Sequence, residues 1–431
     1  MRNTLNKEQK SGILSLLASK TFERLAFYLV MAILVQYVME SLKLETDKAG
    51  IYYSIFYGII GITTLFSGLI GDLRDRMKVV KIGFILLPLM YLAIALLPSI
   101  NYVIITALII LGLGIGLISP NVIVFLGNIY NEKENEIIGL PGFILFSITI
   151  NIGALIAPLL SVFLKDNFGY NSIFLFATLF GLLSLILFLK FKSHYNKLNL
   201  IAEQKNNLAN IEIKNLNTII LVSIITIGVL IRFALNQKGL TFNFAAMDFI
   251  ESGFDINHTL NNIEKYISII FLLVFALIVT RIKTLNWGKI FNIIIIGLIF
   301  SIIAFVLIAS FTSLSQLING KNIFIQSYIL LIIAETLISP AILYSIYRSS
   351  PIKYKGFLQG ISLFVLAISN SLLFLGVLLY EKSTSMTFIV FAIILLIATI
   401  LIMTLKKIVN NKLTDIERNK EIKADNNVYK K

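Results

Sequence analysis

A chain of 431 residues with 57% hydrophobic and 14% charged side chains, at a mean hydropathy of +0.88, is not a soluble globular domain, for which roughly 25% charge is usual. It has no cysteine and two histidines, so disulfide scaffolds and thiolate chemistry are excluded. The formal net charge of +14 would suit nucleic acid, but its distribution along the chain assigns it to membrane topology.

Apolar runs of about 20 residues, the length that crosses a bilayer, occur at 21–42, 49–70, 79–98, 101–127, 138–164, 170–190, 217–247, 263–282, 288–310, 323–347, 356–380 and 384–405. They predict an all-α membrane protein of twelve spans. The first run follows a polar decapeptide and shows no small-residue cleavage pattern between Val30 and Met39, so it reads as a retained helix. Loops assigned alternately to two sides, starting with the N-terminus inside, put 27 Lys and Arg on the inside and six on the other face, namely Lys43, Lys48, Lys165, Lys265, Lys321 and Lys382. This asymmetry predicts that both termini are cytoplasmic. The basic tail, 407–431, then reads as a topology signal and a lipid-headgroup contact.

The longest polar interruption, 191–216, divides the chain into residues 1–190 and 217–406, six spans each. The tetrapeptide LISP occurs late in the fourth span of each half, ending at Pro120 and at Pro340. A parallel repeat that handles its substrate between the halves fits this, although each proline alone is equally compatible with a packing kink tolerated by its neighbours. His194 and His258 fall in predicted loops, which excludes a histidine relay or zinc site in the bundle. No Walker sequence, nucleophile elbow or metal-spaced cluster is present, so neither enzyme chemistry nor a cofactor is expected.

The chemistry-bearing charges are few. Lys20, Glu23 and Arg24 head the first span, Arg232 and Lys238 lie in the seventh, and Glu335 is in the tenth. Lys20 and Arg24 are four apart with Glu23 adjacent to both on the helix surface, and an unpaired charge in the span costs several kcal/mol. Arg232 or Lys238 is therefore expected to pair with Glu335, with snorkelling to the interface as the alternative for both. Tyr28 and Tyr57 are candidates to line a cavity or simply to pack, and Gly112 and Gly116 suit close helix contact.

Gly68 to Lys78, GLIGDLRDRMK, is similar to the signature between the second and third helices of the major facilitator superfamily. That resemblance assigns Gly68, Asp72 and Arg76 to closure of the inward end. Four further stretches resemble the proton-dependent oligopeptide transporters of that superfamily: FERLAFY (Phe22–Tyr28), GLGIGLISPN (Gly112–Asn121), GFILFSITINIGALIAP (Gly142–Pro158) and AETLISP (Ala334–Pro340), the last followed by KYKGFLQG. The chain reads as a divergent member.

What the resemblance implies is uptake of di- or tripeptides with protons by alternating access, in a monomer of the bacterial inner membrane. Arg24 would hold the peptide carboxylate, Glu335 the amine and Asn151 the peptide backbone. Glu23 and Glu335 are the acids left to carry the proton. The departures are Lys20 for a Glu, Ser119 for a Lys, Met31 for an Arg, Asn236 for a Glu (beside Gln237), Phe27 for a Tyr and Ser147 for a Tyr. Lys20 is then expected to replace the positive charge missing at Ser119. The competing reading is a facilitator or exchanger of another small zwitterionic or anionic metabolite, without proton coupling; a non-transporting sensor is disfavoured by short tails and a short linker.

Overall fold

The computed structural model describes residues 5–97, 100–130, 139–197, 211–239, 241–242, 244–245, 256–282, 285–313 and 320–428. These form fourteen α-helices: α1 (Lys7–Met31), α2 (Leu34–Leu42), α3 (Thr46–Leu73), α4 (Arg76–Leu96), α5 (Asn101–Ile129), α6 (Leu140–Phe168), α7 (Tyr170–Lys197), α8 (Ile211–Asn236), α9 (Ile256–Arg281), α10 (Trp287–Ser313), α11 (Gly320–Ser349), α12 (Lys355–Ser371), α13 (Phe374–Lys382) and α14 (Thr384–Val428). Among the described residues, eleven spans are long and apolar enough to cross a membrane, twelve when α1 and α2, bent by 44°, count as one. On the twelve-span count the first and last described residues lie on one side, called here the tail face.

Helix α1 begins fourteen residues before the predicted span. Its start is set by local chemistry: Asn6 Oδ1 accepts from the Gln9 amide at 2.7 Å and Gln9 Oε1 accepts from the Asn6 amide at 2.9 Å, a reciprocal cap. Lys7–Lys10, the end of the polar decapeptide, are thereby the first turn of the helix; Ile13, Leu16 and Leu17 beyond it are buried, and α1 packs along α7. Likewise α7 runs on to Lys197 and α8 starts at Ile211, so both ends of the predicted interruption at 191–216 are helical; residues 198–210 lie outside the described residues. The predicted loop positions of the histidines are corrected: His194 is in the last turn of α7 and His258 in the first turn of α9. His194 Nδ1 lies 2.6 Å from Glu8 Oε2 and Nε2 lies 3.0 Å from Ser11 Oγ, tying α7 to α1 at the tail face. The predicted seventh span, 217–247, is helical to Asn236, followed by a 3₁₀ turn at Gln237–Gly239.

The break between α1 and α2 has an identifiable cause. The Ile33 amide bonds the Val30 carbonyl at 3.2 Å instead of that of Leu29, which releases the Leu29 oxygen inside the bundle. Ser161 Oγ of α6 donates to it at 2.7 Å, as a freed carbonyl in a lipid-bounded helix requires. Ser161→Ala is expected to destabilise the protein by about 1–3 kcal/mol, the cost of an unmade buried hydrogen bond, read as a lower melting temperature in detergent with the fold intact. Pro120 works in the same way: it removes the amide that would bond Gly116, and Ser67 Oγ of α3 donates to that carbonyl at 2.7 Å.

Helix α1 packs along α6 and α7, α3 along α5, and α4 along α5 and α7. Beyond the interruption, α10 packs along α11 and α14, and α8 along α11, α12 and α14. The first six spans meet the last six through α6 against α9 and α11, and α3 and α5 against α12. These crossings position the charged residues.

Candidate functional site

On α1, Glu23 is fully buried and held by two cations. Arg24 donates Nε to Oε2 at 2.7 Å and Nη2 to Oε1 at 2.5 Å, and Lys20 Nζ lies 2.8 Å from Oε2. A planar guanidinium fits a carboxylate in this two-point fashion. The far side of the Arg24 guanidinium lies over the Phe27 ring, 4.5 Å from its centroid, with Tyr28 at 5.9 Å. Tyr28 and Tyr57 pack on Phe27 at 5.0 and 6.3 Å, both half-buried. Arg24 is seated against Gly153 of α6, where an added Cβ would stand 2.8 Å from the Arg24 Cβ. Asn151, also on α6, donates to its own helix at Ser147 O, and Ser119 to Ile115 O, which leaves the Asn151 oxygen and the Ser119 hydroxyl as acceptors.

A second cluster lies on α8, α9 and α11. The 3₁₀ turn after α8 directs Lys238 inward, to Glu335 Oε2 at 2.6 Å and Glu264 Oε1 at 3.0 Å. Glu264 also takes Lys265 at 2.6 Å and the Tyr328 hydroxyl at 2.8 Å. Of the two bases offered to Glu335 by the sequence, Lys238 makes the pair, whereas Arg232 donates Nη1 to Ser339 Oγ at 3.1 Å, one turn beyond Glu335 on α11 and next to Pro340. With a side chain only 9% exposed, Lys238 does not snorkel. Asn236 donates to Asn370 of α12 at 2.8 Å. Gln237 is buried against Gly376, its Oε1 accepting from Thr241.

Glu264 and Tyr328 were not singled out in the sequence, and Lys265, counted there as a loop lysine, lies within α9. Glu264 stands at the head of the eighth apolar run, where an acid next to a lysine looks like a boundary charge. Its burial is the only property that separates it from one. Helix α6 contacts α1, which carries the first cluster, and α9 and α11, which carry the acids of the second.

At the tail face the halves are shut. Asp72, at the end of α3, accepts from the backbone amides of Gly356 at 3.0 Å and Phe357 at 2.8 Å, the first turn of α12. A carboxylate suits the exposed amides of a helix N-terminus. Arg76 braces Asp72 from behind and donates Nη1 to Asn121 Oδ1 at 2.8 Å, while Asn121 Nδ2 reaches Ser67 O at 3.2 Å. Here α3 and α12 touch backbone to backbone: a Cβ on Gly68 would lie 2.0 Å from Gly356 O. The approach loosens farther along: a Cβ on Gly61 would lie 3.1 Å from the Ala367 Cβ, and one on Gly58 would meet nothing within 4 Å. A second seam joins α5 and α6 to α11, where Tyr347 donates to Asn128 Oδ1 at 2.8 Å and Phe143 meets Tyr344 and Tyr347. Of the acids in the clusters, Glu335 is the accessible one, its side chain 39% exposed against none for Glu23.

Residues 16–372 match the Major Facilitator Superfamily. The chain belongs to that superfamily. A di-/tripeptide transporter of Lactococcus lactis subsp. cremoris is 28% identical over 257 residues, 56% of this chain and 50% of that protein; the chain thus spans about half the length of this curated relative, and less of others. Among solved structures, a POT family transporter in complex with a thioalcohol-conjugated peptide superposes with a TM-score of 0.65 at 16% identity, over 94% of this chain and all of that one. The human organic anion transporter MFSD10 gives 0.70 at 14% identity, over 92% and all, respectively. These likenesses establish the fold of this major facilitator protein, a multi-pass bundle of membrane-spanning helices.

Proposed function

We propose that the chain is a secondary transporter of the bacterial inner membrane that takes up di- or tripeptides with protons by alternating access between residues 1–190 and 217–406, with both termini cytoplasmic. The observation that carries the reading is the pairing of two inward charge clusters with a closed tail face. The shut seam at Gly68, Asp72 and Gly356 and the loosening of α3 from α12 away from it correspond to a state open on the face opposite the tails. Peptide-transporting relatives supply the substrate class.

In this reading Lys20, Arg24, Tyr28, Tyr57, Ser119 and Asn151 furnish one wall of the site, and Asn236, Gln237 and Glu335 the other. Glu335 exchanges the proton, because it alone of the two candidate acids is open to water, whereas Glu23 is enclosed by Arg24 and Lys20. Lys238 makes this possible without stranding a charge. When Glu335 takes a proton or a substrate ammonium, Lys238 keeps Glu264 as its partner.

In proteoliposomes, labelled dialanine uptake is expected to rise with an inward proton gradient and to collapse with an uncoupler. Glu335→Gln is expected to lower gradient-driven uptake at least tenfold, about 1.4 kcal/mol or more in barrier terms. Uptake indifferent to the gradient would favour the facilitator reading, which has its own support in the excess of cations over acids at the second cluster, where Arg232, Lys238 and Lys265 stand against Glu264 and Glu335.

A further inference from the structure

Among the described residues, Lys20 and Arg24 end on Glu23, and Lys238 on Glu264 and Glu335, but Arg232 has no carboxylate within ion-pair distance. Of its five N–H donors, Nη1 is given to the Ser339 hydroxyl. Arg232 lines a small cleft between α8, α11 and α12, with Gly228, Ile342 and Ser362 also on its wall. Arg232 lies well inside the span, four residues before the end of α8, so it is not a boundary charge.

The repeat in the chain shows what is missing there. The first span of each half carries a related tetrapeptide, Arg-Leu-Ala-Phe at 24–27 and Arg-Phe-Ala-Leu at 232–235, and the fourth span of each carries Leu-Ile-Ser-Pro, with Ser119 and Ser339 at equivalent places. In the first half the residue before the arginine is Glu23, which fills the guanidinium fork; in the second it is Ile231. The two sites therefore differ by one internal carboxylate. Both clusters also hold one more cation than acid among the described residues, and uncompensated charge in a low-dielectric span is costly.

We propose that Arg232, with Ser339 Oγ, is a carboxylate-binding subsite, that the incoming carboxylate occupies the place Glu23 fills on Arg24, and that substrates of net negative charge are preferred. This rests on the transport reading above and reverses the polarity that the family resemblance implies, since the substrate carboxylate then sits in the second half rather than on Arg24. Glu335 remains the partner for an amine, one helical turn away on α11.

The test uses the full-length protein in detergent, titrated calorimetrically with dialanine, its C-terminal amide and succinate. Arg232→Gln is expected to weaken dialanine and succinate at least tenfold while leaving the amide within about threefold, and Arg232→Lys to recover part of the loss. The melting temperature without ligand should be unchanged or raised by Arg232→Gln, because an unpaired charge is removed. If Arg232→Gln binds the free acids as the wild type does, if free acid and amide weaken equally, or if the wild type binds none of the carboxylates, the subsite is wrong. Succinate binding lost in Arg232→Gln with no dialanine binding in the wild type would support the subsite and sink the peptide reading. Dialanine transport that survives Arg232→Gln unchanged would do the opposite.

Discussion

Gly68→Val is expected to open the tail face. Even the first carbon of the new side chain would stand 2.0 Å from Gly356 O and 2.9 Å from the Phe357 amide nitrogen, and both are backbone atoms of α12 that no rotamer change can withdraw. Helices α3 and α12 must separate, and the amide bonds from Gly356 and Phe357 to Asp72 are lost with them. Hydrogen bonds to a charged group contribute about 1.5–3 kcal/mol each, so losing two approaches the ~5.5 kcal/mol that carries a two-state equilibrium from 1:99 to 99:1.

The chain lacks cysteine, so a single introduced thiol reports without background. Phe143→Cys places it in the closed seam between Tyr344 and Tyr347. Labelling by a membrane-impermeant maleimide added to the tail face should accelerate at least tenfold when Gly68→Val is present. Gly58→Val, at a position with nothing within 4 Å, should leave the rate unchanged. Equal labelling in all three backgrounds would mean that the α3–α12 contact does not hold the closure.

Lys238→Met is expected to destabilise the protein by about 2 kcal/mol, less than the roughly 3–5 kcal/mol of a fully buried broken pair, because the Glu335 side chain is partly exposed and solvent screens it. The loss falls on Glu335, since Glu264 retains Lys265 and the Tyr328 hydroxyl. Adding Glu335→Gln should recover most of it, whereas adding Glu264→Gln should not. The double-mutant cycle, read from denaturation in detergent, is therefore expected to give a coupling energy of about 1–2 kcal/mol for the Lys238–Glu335 pair. Additive effects would show that Lys238 is placed by packing rather than by its acid.

The span count was legible because each span leaves a local mark, a run of apolar residues, and the contact at the tail face left one in the glycines followed by Asp72 and Arg76. The start of α1 was missed although Asn6 and Gln9 spell its cap, because Lys10, Ser11 and Ser15 dilute the hydropathy that marked the span. The ion-pair partners were not legible in the same way. Which base meets Glu335 depends on a 3₁₀ turn that swings Lys238 inward, and hydropathy carries no trace of such a turn. Glu264 reads as a surface charge until α9 is packed against α11. The need of Glu23 for cations, by contrast, followed from spacing alone, with Lys20 and Arg24 flanking it on one helix.

The central claim, peptide translocation through a site alternately exposed to the two faces, is tested most directly by counterflow, which needs no proton gradient. Proteoliposomes loaded with millimolar unlabelled dialanine and diluted into trace labelled dialanine should show transient accumulation above the external concentration, absent from protein-free vesicles and weakened by Gly68→Val. No accumulation of peptide by protein that folds and reconstitutes normally would contradict the account.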